Sequence, residues 1–257
     1  LTNISSASKN PVRLVESGPA GGAILATSIA EDMNLNKVIS FDMGGTTAKI
    51  TIIENKKAIK AREFEVDRKA RFKKGSGYPL RIPVIEMVEI GAGGGSIARV
   101  NKLEQIITGP DSAGSFPGPA CYSNGGSMPT ITDADLVIGK INPDNFAGGK
   151  IKLSKELADK AITENIVKFV NIDTNIAALA ISEIVDETMS NAARVHTVEQ
   201  GHETSNRTLI AFGGAAPLHI ARVAEKLRVS NVIIPTNASV GSAVGFLKAP
   251  VGYEVVK

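Results

Sequence analysis

The sequence predicts an α/β fold, and three observations carry that prediction. Lys37 to Asp42 and Ala48 to Ile53 are β-rich runs on either side of a glycine-rich tip, which reads as strand, turn, strand. Thr174 to Gln200 repeats apolar residues at helical spacing, and from Thr208 onward strands feed helices through glycine turns. With 257 residues, 43% apolar and 21% charged, the chain is long enough to bury a sizeable core.

The elements follow in order. Pro11 and a Ser17-Gly18-Pro19 turn precede the small and apolar residues Ala20 to Ile29. Proline suits the first helical position, so a helix starting at Pro19 is expected, with glycines where another backbone comes close. The hairpin comes next, with Met43-Gly44-Gly45-Thr46-Thr47 at its tip. Extended patterns continue over Ala58 to Val66 and Arg81 to Ile90, and glycine dominates at Gly91 to Ser96 and again at Gly109 to Pro119. Apolar and aromatic residues interspersed among these glycines and prolines indicate specific turns, not a flexible linker. Residues 68–150 are accordingly read as a Gly/Pro-rich insertion carrying active-site loops within a domain of 1–257.

Ser154 to Val170 and Thr174 to Gln200 are expected as helices; in the second, Ile181, Ile184, Val185, Met189 and Ala192 share one face. Thr208 to Phe212 is expected as a strand, Gly213-Gly214 as a turn and Pro217 to Leu227 as a helix, followed by a strand over Val229 to Ile234 and a helix near Ser242 to Leu247. There is no internal repeat.

Composition excludes several function classes. The net charge of +3 arises from 29 basic and 26 acidic side chains spread widely, so no strong field draws nucleic acid or an anionic membrane. The one basic cluster, Arg68, Lys69, Arg71, Lys73 and Lys74, reads as a solvated loop. A single cysteine, Cys121, rules out an intrachain disulfide framework and a cysteine-rich zinc site, and fits a buried filler better than a nucleophile. No apolar run approaches the roughly 18 residues of a membrane span, so a cytoplasmic location is expected. The chain opens on Leu1 and is read as a piece of a longer polypeptide.

Two loops carry chemistry. In Asp42-Met43-Gly44-Gly45-Thr46-Thr47-Ala48-Lys49, glycines let backbone N–H groups point at an anion, threonine hydroxyls add donors, and Asp42 is placed to hold magnesium through water. A plain Gly-Gly hairpin turn is the competing reading. In Ala211-Phe212-Gly213-Gly214-Ala215-Ala216-Pro217-Leu218-His219, a strand ends at two glycines and a helix opens, so a flat ring or sugar can approach the backbone. It is neither a Walker loop nor a GxGxxG fingerprint. Lys49 lies just past the hairpin, where its ammonium either reaches a phosphate or points to solvent.

These two loops together resemble the phosphate hairpin and adenosine turn of the actin, hexokinase and heat-shock ATPase fold, which is ribonuclease H-like. The chain is more specifically similar to the central hydantoinase A domain of the hydantoinase/oxoprolinase family. The resemblance runs through Ser17 to Gly22, Phe41 to Thr47, Glu89 to Ala98, Gly109 to Tyr122, Thr130 to Ala134 and Phe212 to His219. Ala216 departs from it where many members carry glycine, and Asp135 where asparagine is frequent.

The resemblance implies ATP-dependent ring opening of a cyclic amide such as hydantoin, N-methylhydantoin or 5-oxoproline. ATP would phosphorylate the amide oxygen, and water would then attack. It implies an N-terminal lobe bearing the other phosphate loop, absent from this stretch, so that the fold is partial and the isolated fragment inactive. It also implies a companion hydantoinase B-type subunit or domain. Expected site residues are Asp42 and Glu89 as catalytic acids, and Gly44, Gly45, Thr46, Thr47, Lys49, Gly213, Gly214 and Ala215 for ATP. Asp42, Asp133 and His219 are the expected metal ligands, for magnesium and a possible second divalent ion, with helix capping the competing reading for Asp133. The alternatives are the ATP-using subunit of an acetone- or acetophenone-type carboxylase, and a non-catalytic nucleotide-binding module.

Overall fold

A computed structural model describes residues 3–66 and 75–251; the basic cluster Arg68 to Lys74 lies outside the described residues. In chain order the helices and strands are α1 (Ile4–Lys9), α2 (Ser17–Asp32), β1 (Lys37–Met43), β2 (Ala48–Glu54), β3 (Lys57–Ala58), β4 (Lys60–Ala61) and β5 (Phe64–Val66). They continue as β6 (Tyr78–Leu80), β7 (Val84–Ile85), β8 (Met87–Ile90), β9 (Ser96–Val100), β10 (Ile106–Ser112), α3 (Ile131–Val137), α4 (Lys155–Ile162), α5 (Lys168–Val170) and α6 (Thr174–Glu199). The last are β11 (Thr208–Phe212), α7 (Ala216–Leu227), β12 (Asn231–Ile233) and α8 (Gly241–Lys248).

The central sheet has six strands in the order β12-β11-β1-β2-β3, with β8 also paired to β2. β1 and β2 form the expected antiparallel hairpin, in register from Lys37 opposite Glu54 to Met43 opposite Ala48. β11 joins β1 in parallel, and β12 joins β11 in parallel. Parallel strands need a crossover, and α7 supplies the one between β11 and β12. This mixed sheet with helices on both faces is the α/β architecture expected from the sequence. Part of the expected insertion is integral to it, because Met87 to Ile90 is a strand of the main sheet.

Alternation along the strands divides the core. Ile39, Phe41, Met43, Ile50, Leu209 and Ala211 face a large cluster with α3, α4, α6 and α7. Val38, Ile53, Ile210 and Phe212 face a smaller one with α2 and α8. Helix α7 is held to this core by Ile220, Val223, Ala224 and Leu227, and burying residues of the larger types among these is worth about 1.5–3 kcal/mol each. Its ion pairs to α6, Arg222 with Glu183 and Lys226 with Glu183 and Glu187, have carboxylates open to solvent and add little after screening.

On the other face α2 and α8 meet at backbone distance. A Cβ on Gly21 would stand 2.5 Å from the Ser242 carbonyl oxygen, one on Gly22 2.5 Å from the Phe212 ring, and one on Gly245 would strike the Gly21 carbonyl. Helix α2 begins at Ser17, two residues before the expected Pro19, because proline is tolerated anywhere in a first turn whose N–H groups lack intrahelical partners. The loop expected from Gly109 begins instead as the end of β10, which pairs with β9 across an irregular register between Thr108 and Ser112. Ser154 to Val170 is α4, a π-helical turn over Thr163–Val167, and α5. Among the described residues, no helix is long and apolar enough to cross a membrane.

Candidate functional site

The hairpin tip is the point to which the other loops are tied. Gly94 and Gly95 donate their N–H groups to the carbonyls of Gly44 and Gly45 at 3.0 and 2.7 Å. Gly93 must be glycine for this, since a Cβ there would lie 2.5 Å from Thr46 N. Thr132 at the start of α3 donates both its N–H and its hydroxyl to the Gly94 carbonyl, each at 2.8 Å. Ala113 N–H reaches the Gly95 carbonyl at 2.8 Å, and Ala215 N–H reaches the Met43 carbonyl at 2.9 Å. The two expected loops, at Gly44 and Gly213, are therefore brought together at the carboxyl ends of β1 and β11.

Between them lies a cleft of about 390 Å³ on the α3 and α7 side of the hairpin. Gly44, Gly45, Thr46, Gly94, Gly95 and Gly214 border one part; Tyr122, Ile141, Phe146 and Leu218 form an apolar wall, with the Tyr122 and Phe146 rings 5.6 Å apart. Gly44, Gly45 and Gly214 have no internal reason to be glycine. A Cβ on any of them would meet nothing within 4 Å, and none has a positive φ, unlike Gly213 at φ 89°. They border the cleft without side chains of their own, which leaves the backbone open to an approaching ligand. The α7 N-terminus at Ala216 also opens here, favouring negative charge.

A charged row occupies the opposite face of the same hairpin. The register sets Asp42 opposite Lys49 and Lys49 opposite Glu89, so these side chains lie abreast on the α2 and α8 side. Lys49 Nζ is 3.0 Å from Glu89 Oε1 and donates to Thr47 Oγ1 at 2.8 Å; it bends toward the tip instead of running into solvent. Asp42 Oδ2 accepts from the Ser242 hydroxyl at 2.7 Å. Burial pushes the Asp42 carboxyl above the ordinary range, while the Ser242 bond and Lys49 pull it back. Glu16, in a left-handed conformation just before α2, is also raised, by burial and then by the charge of Glu89. Sequence reading missed Glu16 and Ser242, because no local motif marks residues that meet only through the packing of α2 and α8.

Two of the expected metal ligands are engaged elsewhere, and the set Asp42, Asp133 and His219 does not assemble. Fully buried Asp133 forms a capping box with Thr130, accepting from its N–H and hydroxyl at 2.8 Å each, and also takes the Cys121 and Ala120 N–H groups at 2.8 and 3.2 Å. An acceptor so occupied from four directions is a structural clamp on the Pro119 to Tyr122 turn. His219 is buried behind the cleft wall between Asp135 and Asp186. Among the described residues, no group of three or more His, Cys, Asp or Glu side chains is arranged to hold a metal ion. Cys121 is buried, and its thiol is pushed well above its ordinary range by burial and then by Asp133, so it is not a nucleophile. Burial likewise raises the Tyr122 phenol to about 12.

The chain is 42% identical over 252 residues to an uncharacterized protein of Methanocaldococcus jannaschii, covering 97% of this chain and 37% of that one. It is 33% identical to the caprolactamase subunit alpha of Pseudomonas jessenii, covering 95% of this chain and 34% of the relative. The solved structure of acetone carboxylase, described as carrying out ATP-dependent acetone carboxylation, superposes with a TM-score of 0.80 at 29% identity, over 89% of this chain and 31% of that one. The chain thus spans about a third of the length of these relatives. The model of the hydantoinase/oxoprolinase family matches residues 1–255, and the chain belongs to that family.

Proposed function

We propose that this chain holds ATP in the cleft beside the hairpin, within a longer enzyme that activates a cyclic amide for hydrolysis. The observation that carries the reading is the set of glycines, Gly44, Gly45 and Gly214, that line the cleft without any internal cause. Phosphates suit the hairpin end, where the backbone of Gly44 and Gly45 and the hydroxyl of Thr46 border the cleft and no carboxylate lines that end. The nucleoside suits the other end, against Gly214 and Ala215 with the apolar wall beyond. Gly213 serves at one remove, turning β11 close enough to β1 for Gly214 to border the cleft.

Asp42, on the α2 and α8 face of the hairpin, is the residue we assign to magnesium, which would sit at the tip, between that face and phosphates held in the cleft. A single carboxylate fits an ion that is held mainly by phosphate oxygens and water, and magnesium would neutralise charge on the transferring phosphoryl group. Lys49, steadied by Glu89 and aimed back at Thr47, supplies a positive charge beside Asp42 on the α2 and α8 face of the tip. Glu89 is 44% exposed and stands where a second substrate meets the hairpin from the α2 side, which suits it to orient an amide or a water. In the proposed reaction the amide oxygen takes the terminal phosphoryl group, ADP leaves, and water then opens the ring with loss of phosphate. The remaining lobe and a companion subunit complete the site, in keeping with relatives that are themselves subunits.

A second reading is favoured by the acetone carboxylase superposition: the same cleft would supply the ATP-using step of a ketone carboxylation. Phosphate release from ATP and magnesium by the full-length protein separates the two. Stimulation by caprolactam, hydantoin or 5-oxoproline, abolished in Asp42→Ala, supports amide activation. Stimulation by acetone or acetophenone with bicarbonate, and by no cyclic amide, replaces it with the carboxylase reading.

A further inference from the structure

Five polar side chains stand among the described residues that line the cleft: Thr46, Ser115, Tyr122, Thr132 and Asp135. Asp135 alone among them has a fixed hydrogen-bonding sign, since a carboxylate can only accept. It is 1% exposed, and both of its oxygens are engaged. Oδ1 accepts from the Ser182 hydroxyl at 3.2 Å and lies 3.5 Å from Lys140 Nζ, and Oδ2 lies 3.1 Å from His219 Nε2. His219 is held in turn by Asp186, whose Oδ1 is 2.8 Å from Nδ1. Asp135 therefore serves the packing of α3 against α6 and α7, and its carboxylate is occupied before a ligand arrives.

The other four are hydroxyls. Thr132 gives its proton to the Gly94 carbonyl at 2.8 Å. Thr46 stands on the hairpin tip, and Ser115 follows Gly114, whose carbonyl lies beside Gly95, so both belong to the end proposed for phosphates. Tyr122 stands in the wall; burial raises its phenol to about 12, so it keeps its proton at neutral pH, and it hydrogen-bonds with Thr132. A hydroxyl donates or accepts by rotating, so it meets an amino group and a keto group alike. The rest of the wall is Ile141, Phe146 and Leu218, with the Phe146 ring 5.6 Å from that of Tyr122. Such a wall covers the faces of a flat ring and is indifferent to what the ring edge carries. An apolar pocket separates near-isosteres only weakly, whereas a fixed polar group rejects the wrong partner strongly.

Adenine and guanine share one fused ring and differ at its edge, in an amino against a keto group and in the additional amino group of guanine. We infer that the cleft takes purine nucleoside triphosphates as a class, holding the base by its ring faces and leaving its exocyclic groups unread, so that GTP and ITP bind with ATP. This rests on the nucleotide reading above and names its substrate class. A pyrimidine meets the same wall but buries less apolar surface, and so binds more weakly. Phe146 and Leu218 are the residues that select for ring size.

The test is calorimetric titration of the full-length protein with ATP, GTP, ITP and UTP in the presence of magnesium. ATP, GTP and ITP are expected to bind within roughly threefold of one another, and UTP roughly three- to tenfold more weakly, the size of the lost ring contact. Phe146→Ala should weaken the three purine nucleotides by the same factor, roughly tenfold for one aromatic contact with a base, and bring them toward UTP. GTP or ITP binding more than roughly tenfold more weakly than ATP to the unaltered protein would overturn the inference, whether or not Phe146→Ala folds. So would UTP binding as tightly as ATP, or a Phe146→Ala protein, folded by circular dichroism, that keeps the original affinities. Binding of none of the four would remove the nucleotide reading itself and this inference with it.

Discussion

On one side of the central sheet, Gly21 and Gly245 bring α2 and α8 into backbone contact and Gly22 makes room for the Phe212 ring; on the other, Gly44, Gly45 and Gly214 border the open cleft. The first group is explained entirely by what already surrounds it. The second has no such neighbours, since a Cβ on any of the three would meet nothing within 4 Å, which is what the proposed nucleotide site needs. The same contrast separates the acids. Asp133 is saturated by hydrogen bonds from its own fold, whereas Asp42 accepts a single hydroxyl and Glu89 keeps much of its surface in solvent. Packing around a residue type therefore distinguishes structural from functional use better than the residue type does.

Substitutions can break this comparison at several strengths. The largest loss is expected at the helix contact: Gly21→Val forces a side chain into the Ser242 carbonyl and the Phe246 ring, and should cost on the order of 4 kcal/mol or abolish folding, as read by urea unfolding. Asp133→Ala comes next. It orphans buried donors at Thr130, Ala120 and Cys121 and should cost about 3 kcal/mol, with an unfolding midpoint that a chelator does not reproduce in the unaltered protein. A midpoint sensitive to chelator but not to Asp133→Ala would return Asp133 to the metal ligands.

A smaller effect is expected from pH. His219 has a folded pKa of about 9 against an ordinary 6.5, so its stabilising contribution is complete below about pH 6.5 and is lost as pH rises through about 9. The Tm should fall by a few degrees across that window. Asp186→Asn, which removes one of the two carboxylates facing the ring, should flatten the decline; an unaltered slope would mean that the imidazole is neutral throughout.

Much of this was legible in the sequence, for identifiable reasons. The hairpin, β11, α6 and α7 are long periodic runs bounded by glycine, so local pattern and tertiary packing agree. β10 was hidden because Gly109 and Pro110 look like a turn even while the chain continues along β9. The pairing of Asp42, Lys49 and Glu89 was not visible either, since it depends on the register of β8 against β2. Asp135 stood out only as a departure from the family pattern. Its partners, Asp186 and His219, lie on helices far along the chain, and spacing does not reveal that those helices converge.

The most direct test of the central claim is to measure stability and ATP affinity together in Gly45→Val, in the full-length protein. Gly45 borders the cleft and a Cβ added there would meet nothing within 4 Å, so unfolding should shift by no more than about 0.5 kcal/mol while ATP binding weakens at least roughly tenfold. A stably folded Gly45→Val protein that binds ATP as tightly as the original would contradict the claim that these glycines keep the cleft open for the nucleotide.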